Sequence, residues 1–179
     1  QAKVANVNVI DSIALTRISQ YKHALLANTQ LLKNSQVVPD TDRFLLTFVG
    51  RLTEQKMLIL LQPFIDAEGQ TTTKTVLDVI VERHQPSGVF MLLGSGDLHI
   101  AKALQATAAR YDNFLFLHGY DEALSEQLYQ SGSLFLMPSS FEPCGISQML
   151  AMREGQPCLV HGVGGLNDTI IDNVSGWVF

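Results

Sequence analysis

Five short apolar runs, at 44–49, 89–93, 114–117, 134–137 and 158–160, alternate with amphipathic stretches along this chain, and a glycine closely follows four of them. Runs this short, without polar alternation, suit strands buried on both faces. Strands separated by helices must be joined by crossovers. Right-handed crossovers build a parallel sheet with helices on both faces. The expected fold class is therefore α/β, a Rossmann-like parallel sheet. Ligands of such sheets collect outside the carboxyl ends of the strands. The loops at 50–56, 94–97, 139–145 and 162–165 all fall there.

The periodicity predicts helices over about 57–67, 74–83, 98–110, 121–130, 146–153 and 167–171. The polar stretch 68–73 reads as a connector and 176–179 as a closing strand. Upstream, Asp11 or Ser12 is suited to cap a helix over about 13–32, and Pro39-Asp40-Thr41-Asp42 reads as a solvated turn. The 179 residues are expected to form a single domain, with 1–43 as lead-in and 44–179 as core. The chain begins at Gln1, not Met, and ends on the closing strand, so further sequence is expected on both sides.

Apolar residues at 46% against 16% charged are enough for a closed core and exclude disorder. A net charge of −5 argues against a nucleic-acid or membrane-surface binder, but allows a small anion held by local cations. Cys144 and Cys158 form no Cys-x-x-Cys pair, and the five histidines lack metal-ligand spacing, so neither a disulfide framework nor a metal site is expected. A reducing compartment follows: the cytoplasm, or a plastid in a plant. No apolar run approaches the ~20 residues of a membrane span.

Arg51 and Lys56 lie on the first strand's carboxyl-end loop, where two cations can neutralise a diphosphate. Two solvated surface cations remain the alternative. Gly94 and Gly96 make a Gly-x-Gly without the third glycine of the dinucleotide fingerprint, since His99 stands there; a tight turn explains them equally well. Gly164-Gly165 before a short helix suits close approach of backbone amides to a phosphate. Glu142 precedes Pro143, which holds it extended, and its carboxylate can accept from sugar hydroxyls or balance charge in a transition state. His161 ends a strand near this site and can contact phosphate, or simply pack. Cys144 has no partner base to make it a nucleophile.

The loops Phe48-Val49-Gly50-Arg51-Leu52-Thr53-Glu54-Gln55-Lys56, Gly94-Ser95-Gly96-Asp97, Gly119-Tyr120-Asp121-Glu122-Ala123, Met137-Pro138-Ser139-Ser140-Phe141-Glu142-Pro143-Cys144-Gly145 and Gly164-Gly165-Leu166-Asn167-Asp168-Thr169 follow one another in a telling order. In that order and spacing the chain resembles the bacterial glycogen synthases and plant starch synthases over about residues 11–179. The resemblance implies the C-terminal, nucleotide-sugar-binding lobe of a GT-B glycosyltransferase, whose N-terminal acceptor lobe lies outside these residues. It implies transfer of glucose from ADP-glucose to an α-1,4-glucan with retention, without metal or cofactor. It assigns Glu142, Arg51 and Lys56 to catalysis: the two cations on the diphosphate, the carboxylate by the glucosyl group. Gly50, Gly94, Gly96, Tyr120, Cys144, Gly145, Gly164, Gly165 and Leu166 would bind the nucleotide sugar, with Tyr120 stacking near the adenine.

Four residues depart from the family pattern. Met57 stands for a glycine, Ser140 for an Arg, Val163 for a Thr, and Leu150 for a Tyr or Glu. Two other readings follow: a non-catalytic module that binds nucleotide or glucan, and a retaining transferase using another nucleotide sugar and a small acceptor. On the synthase reading these residues alone are expected not to turn over, because half the cleft is absent.

Overall fold

The computed structural model describes residues 44–85 and 88–179. The predicted helix over 13–32 and the 39–42 turn lie outside them. The apolar runs become the parallel strands β1 (Phe44–Leu52), β4 (Gly88–Gly96), β5 (Phe114–His118), β6 (Leu134–Met137) and β7 (Cys158–Val160), joined by β8 (Gly176–Val178). Their spatial order is β5-β4-β1-β6-β7-β8. The chain starts in the middle, runs outward to β5, then returns to build the other half from β6.

Alternation along these strands sends side chains to two cores. Leu45, Val49, Met91, Leu93, Leu115, Leu117, Phe135 and Met137 share one face; Leu46, Phe48, Phe90, Leu92, Phe114, Phe116 and Leu136 share the other. The second face is covered by α1 (Glu54–Leu61), α2 (Val76–Arg83) and α3 (Leu98–Ala108), through residues such as Met57, Leu60, Leu77 and Leu104. The first is covered by α4 (Glu122–Ser131), α5 (Ser147–Arg153) and α6 (Gly165–Thr169). Burial on both faces explains why these runs lack the polar alternation of a half-exposed sheet. Met57, where the family has glycine, is fully buried on α1. It serves as a core residue.

Local chemistry sets the helix starts. Thr75 and Asp78 form a reciprocal capping box, so α2 begins at Val76, two residues after the predicted start. Asp97 accepts from the amides of His99 and Ile100, and Asp121 from that of Leu124. The predicted helix over 57–67 stops at Leu61, because Gln62 precedes Pro63 and is extended. α6 begins at Gly165, two residues before the expected start.

The 68–73 connector is corrected outright. Residues 63–75 form an antiparallel hairpin, β2 (Pro63–Ile65) with β3 (Thr71–Thr75), outside the main sheet. A threonine run scores as polar, yet its β-branched side chains favour a strand. Asp66 closes the turn by accepting from the amides of Glu68 and Gln70. Among the described residues no helix is long and apolar enough to cross a membrane.

Candidate functional site

The sheet's two halves meet at β1 and β6, which pair only at Leu46↔Leu134 and Thr47↔Phe135. Beyond that point β1 follows β4 out to Leu52↔Gly96, while β6 follows β7 to Met137↔Val160. The halves therefore part toward their carboxyl ends and leave a crevice at the strand-order reversal. Open α/β sheets bind ligands at such reversals.

Lys56 and Glu142 close the crevice from opposite sides. Lys56 sits in the first turn of α1, and its Nζ lies 2.5 Å from Oε2 of Glu142. The Ser139 hydroxyl donates to the same oxygen at 3.1 Å. Glu142 is only 7% exposed, so this carboxylate is paired, hydrogen-bonded and shielded from water.

The loop carrying Glu142 is held at almost every residue. The Ser139 carbonyl accepts from Nδ1 of His161 at 2.9 Å, so that nitrogen carries the ring proton. The Ser140 amide donates to the Gln55 carbonyl at 2.7 Å, and the Gln55 side-chain amide donates to the Phe141 carbonyl. The Glu142 carbonyl accepts from the Gly165 amide at 2.9 Å. Gln148, fully buried on α5, donates to the carbonyls of Cys144 and Gly145 and to the Thr169 hydroxyl.

The paired glycines do more than the sequence suggested. Gly164 has φ +49°, and a Cβ there would run into the Glu142 carbonyl oxygen. A Cβ on Gly165 would lie 2.7 Å from Cys144 Cα. Both therefore let one backbone rest directly on another. The Gly165 amide bonds Glu142, and the Leu166 amide donates to the Val163 carbonyl at 3.1 Å. Each of these two amides thus has a protein acceptor in this structure. Val163, where the family has Thr, packs its side chain against the core.

A cleft of about 350 Å³ opens at the carboxyl ends of β1 and β4, against α4 and the start of α5. Of the residues proposed from the sequence, Gly50, Arg51, Gly94 and Tyr120 line it, whereas Lys56, Glu142, Cys144, Gly145, Gly164, Gly165 and Leu166 do not. Tyr120 is 70% exposed, a flat ring at the rim. Gly96 is not on its wall. It ends β4 against Leu52, where a Cβ would meet the Leu52 carbonyl, so its absent side chain serves strand pairing. The lining also includes Ser95, Gly119, Ser125, Tyr129, Ser147 and Leu150, to which the sequence reading gave no binding role. Tyr129 and Ser147 interact there; burial pushes the Tyr129 phenol up, and its hydrogen bond with Ser147 works against that rise. Gly119 alone carried a signal, as a glycine just past a predicted strand. Tyr129 reads in sequence as one more apolar position of a helix.

The chain is similar to known proteins in sequence and in fold. The family model for glycosyl transferases group 1 matches residues 29–179. The glycogen synthase of Aeromonas salmonicida is 40% identical over 144 residues, covering 80% of this chain and 26% of its own length. That of Marinobacter nauticus is 42% identical over 129 residues, covering 72% and 23%. The chain thus spans about a quarter of the length of these relatives. Among solved structures, the catalytic domain of starch synthase IV from Arabidopsis thaliana, bound to ADP and acarbose, superposes with a TM-score of 0.64 at 30% identity, covering 85% of this chain and 31% of that one. Anabaena HepE in complex with UDP-glucose, at 20% identity and a TM-score of 0.60, covers 90% and 41% and shares the fold.

Proposed function

Because the chain belongs to the group 1 glycosyl transferases and has their GT-B type of sheet, we propose that it is the donor-binding half of an α-1,4-glucan synthase that moves glucose from ADP-glucose to a glucan with retention. The observation that carries this reading is the Lys56–Glu142 pair, 2.5 Å apart at the mouth of the crevice. Glucosyl transfer breaks the bond between the anomeric carbon and a phosphate oxygen. The electron pair leaves with the diphosphate, and positive charge grows on the sugar. A cation beside a carboxylate, shielded from water, answers both charges at once.

Lys56 has three donors, so one can stay on Glu142 while the others meet the diphosphate. Arg51, exposed on the cleft wall, adds a second cation with a fork suited to phosphate oxygens. Glu142 faces the glucosyl group, and its oriented Oε2 needs little rearrangement as charge develops. Tyr120 offers its ring to the adenine. The backbone at Cys144 and Gly145 serves the sugar hydroxyls, with Gly164 beside them. No metal or cofactor enters this reading. The glucan binds through a lobe beyond these residues, and the protein works in the cytoplasm, or in a plastid in a plant.

The test is Glu142→Ala in the full-length protein. Transfer from ADP-glucose to glycogen should be lost while the circular dichroism spectrum and thermal transition show a folded protein. Undiminished transfer in that variant would sink the assignment. A panel of nucleotide sugars separates ADP-glucose from a UDP- or GDP-sugar donor. Nucleotide binding without any transfer would favour the non-catalytic module.

A further inference from the structure

We infer that Gln55 is a positioning residue: together with Ser140 it clamps the Lys56 loop to the Glu142 loop and so sets how the two charged groups meet. β1 and β6 stop pairing at Thr47 and Phe135. The sheet therefore supplies no bond that fixes the β1–α1 loop against the β6–α5 loop across the crevice. Apart from the ion pair, the tie between them is Gln55. Its carbonyl accepts from the Ser140 amide at 2.7 Å and the Ser140 hydroxyl at 3.0 Å, while its side-chain amide donates to the Phe141 carbonyl. Gln55 directly precedes Lys56, and Phe141 directly precedes Glu142. The clamp thus grips each charged residue by its chain neighbour.

Ser140 gains a meaning from this contact. At a position where the family commonly carries Arg, a serine gives up a cation. In return it brings a hydroxyl short enough to add a second bond to Gln55. The departure noted in the sequence is part of the device that holds the site together.

The catalytic consequence rests on the proposed glucosyl transfer; the clamp itself does not. The experiment uses the full-length protein and the double variant Gln55→Met, Ser140→Ala, which removes both side-chain bonds of the clamp and leaves only the Ser140 amide on the Gln55 carbonyl. Two quantities are measured: kcat and KM for ADP-glucose, and amide hydrogen exchange of the peptide 139–145 against a control peptide in β4. A misaligned reacting pair costs rate, so kcat should fall roughly tenfold to a hundredfold. KM should stay within about threefold, as expected for a loss felt mainly in the transition state. Exchange at 139–145 should quicken about tenfold, with β4 unchanged. Gln55→Glu, which sets an acceptor against the Phe141 carbonyl, should act in the same direction and covers the case in which the double variant does not fold. Unchanged kcat and unchanged exchange would overturn the inference. So would a rise in KM alone, which would make these side chains a donor contact. Should the wild-type protein transfer no glucose, the proposed function fails; exchange at 139–145 then upholds the clamp if it quickens and overturns it if it does not.

Discussion

The loop at 139–145 and the hairpin at 63–75 are both surface excursions from the helix and sheet layers, yet they satisfy their backbones in opposite ways. The hairpin works locally. Asp66 accepts from amides two and four residues on, and Thr72 bonds Lys74. Its side-chain links run to the helix that directly follows it: Lys74 to Glu82 at 2.7 Å, the Thr75–Asp78 capping box, and Arg83 6.0 Å from the Phe64 ring centroid. The site loop draws its partners from Gln55, His161 and Gly165, up to 86 residues away. A locally satisfied segment can shift without consequence for the sheet. A segment held from three remote elements cannot move unless they move too, and that is what a preorganised charged group requires.

This contrast can be broken at its strongest point by Gly164→Ala. The added methyl collides with the Glu142 carbonyl in a backbone conformation that L side chains rarely adopt. The expected loss is about 3 kcal/mol of stability, together with loss of transfer. Urea unfolding checks it, and an unshifted midpoint would show that the loop tolerates displacement. Lys56→Met tests the pair itself. It leaves the Glu142 carboxylate, 9% exposed at its side chain, with Ser139 but no cation. Destabilisation of about 2 kcal/mol is expected, below that of a fully buried pair because Lys56 retains some solvent contact. Pairing it with Glu142→Gln should restore part of that loss, and strict additivity would argue against direct coupling. Asp66→Ala gives the smallest effect. Removing the turn acceptor should cost about 1 kcal/mol in thermal unfolding, with kcat unaltered. A fall in kcat there would show that the hairpin does communicate with the crevice.

The sequence made the sheet readable because its strands are buried on both faces and so appear as unbroken apolar runs; β6 lies at its predicted residues. Glu142, Arg51 and Lys56 stood out as charged side chains in loops after strands, but that Lys56 and Glu142 pair was not readable from their positions. Three features were hidden for identifiable reasons. The hairpin's threonines look polar although their shape favours strands. The role of Gln55 depends on a partner 86 positions away, which no local pattern can reveal. The backbone contact that Gly164 and Gly165 permit was hidden, since a glycine that admits another backbone reads the same as one that admits a phosphate.

The two thiols differ in a way that matters beyond catalysis. Cys144 is exposed within the site loop, whereas Cys158 is buried in β7 and burial pushes its thiol up to about 12. At pH 8 an alkylating dye would therefore react with one position and leave the other untouched. These 179 residues thus carry one accessible attachment point, two residues from Glu142, where a fluorophore would sense the surroundings of the site loop without any engineered cysteine.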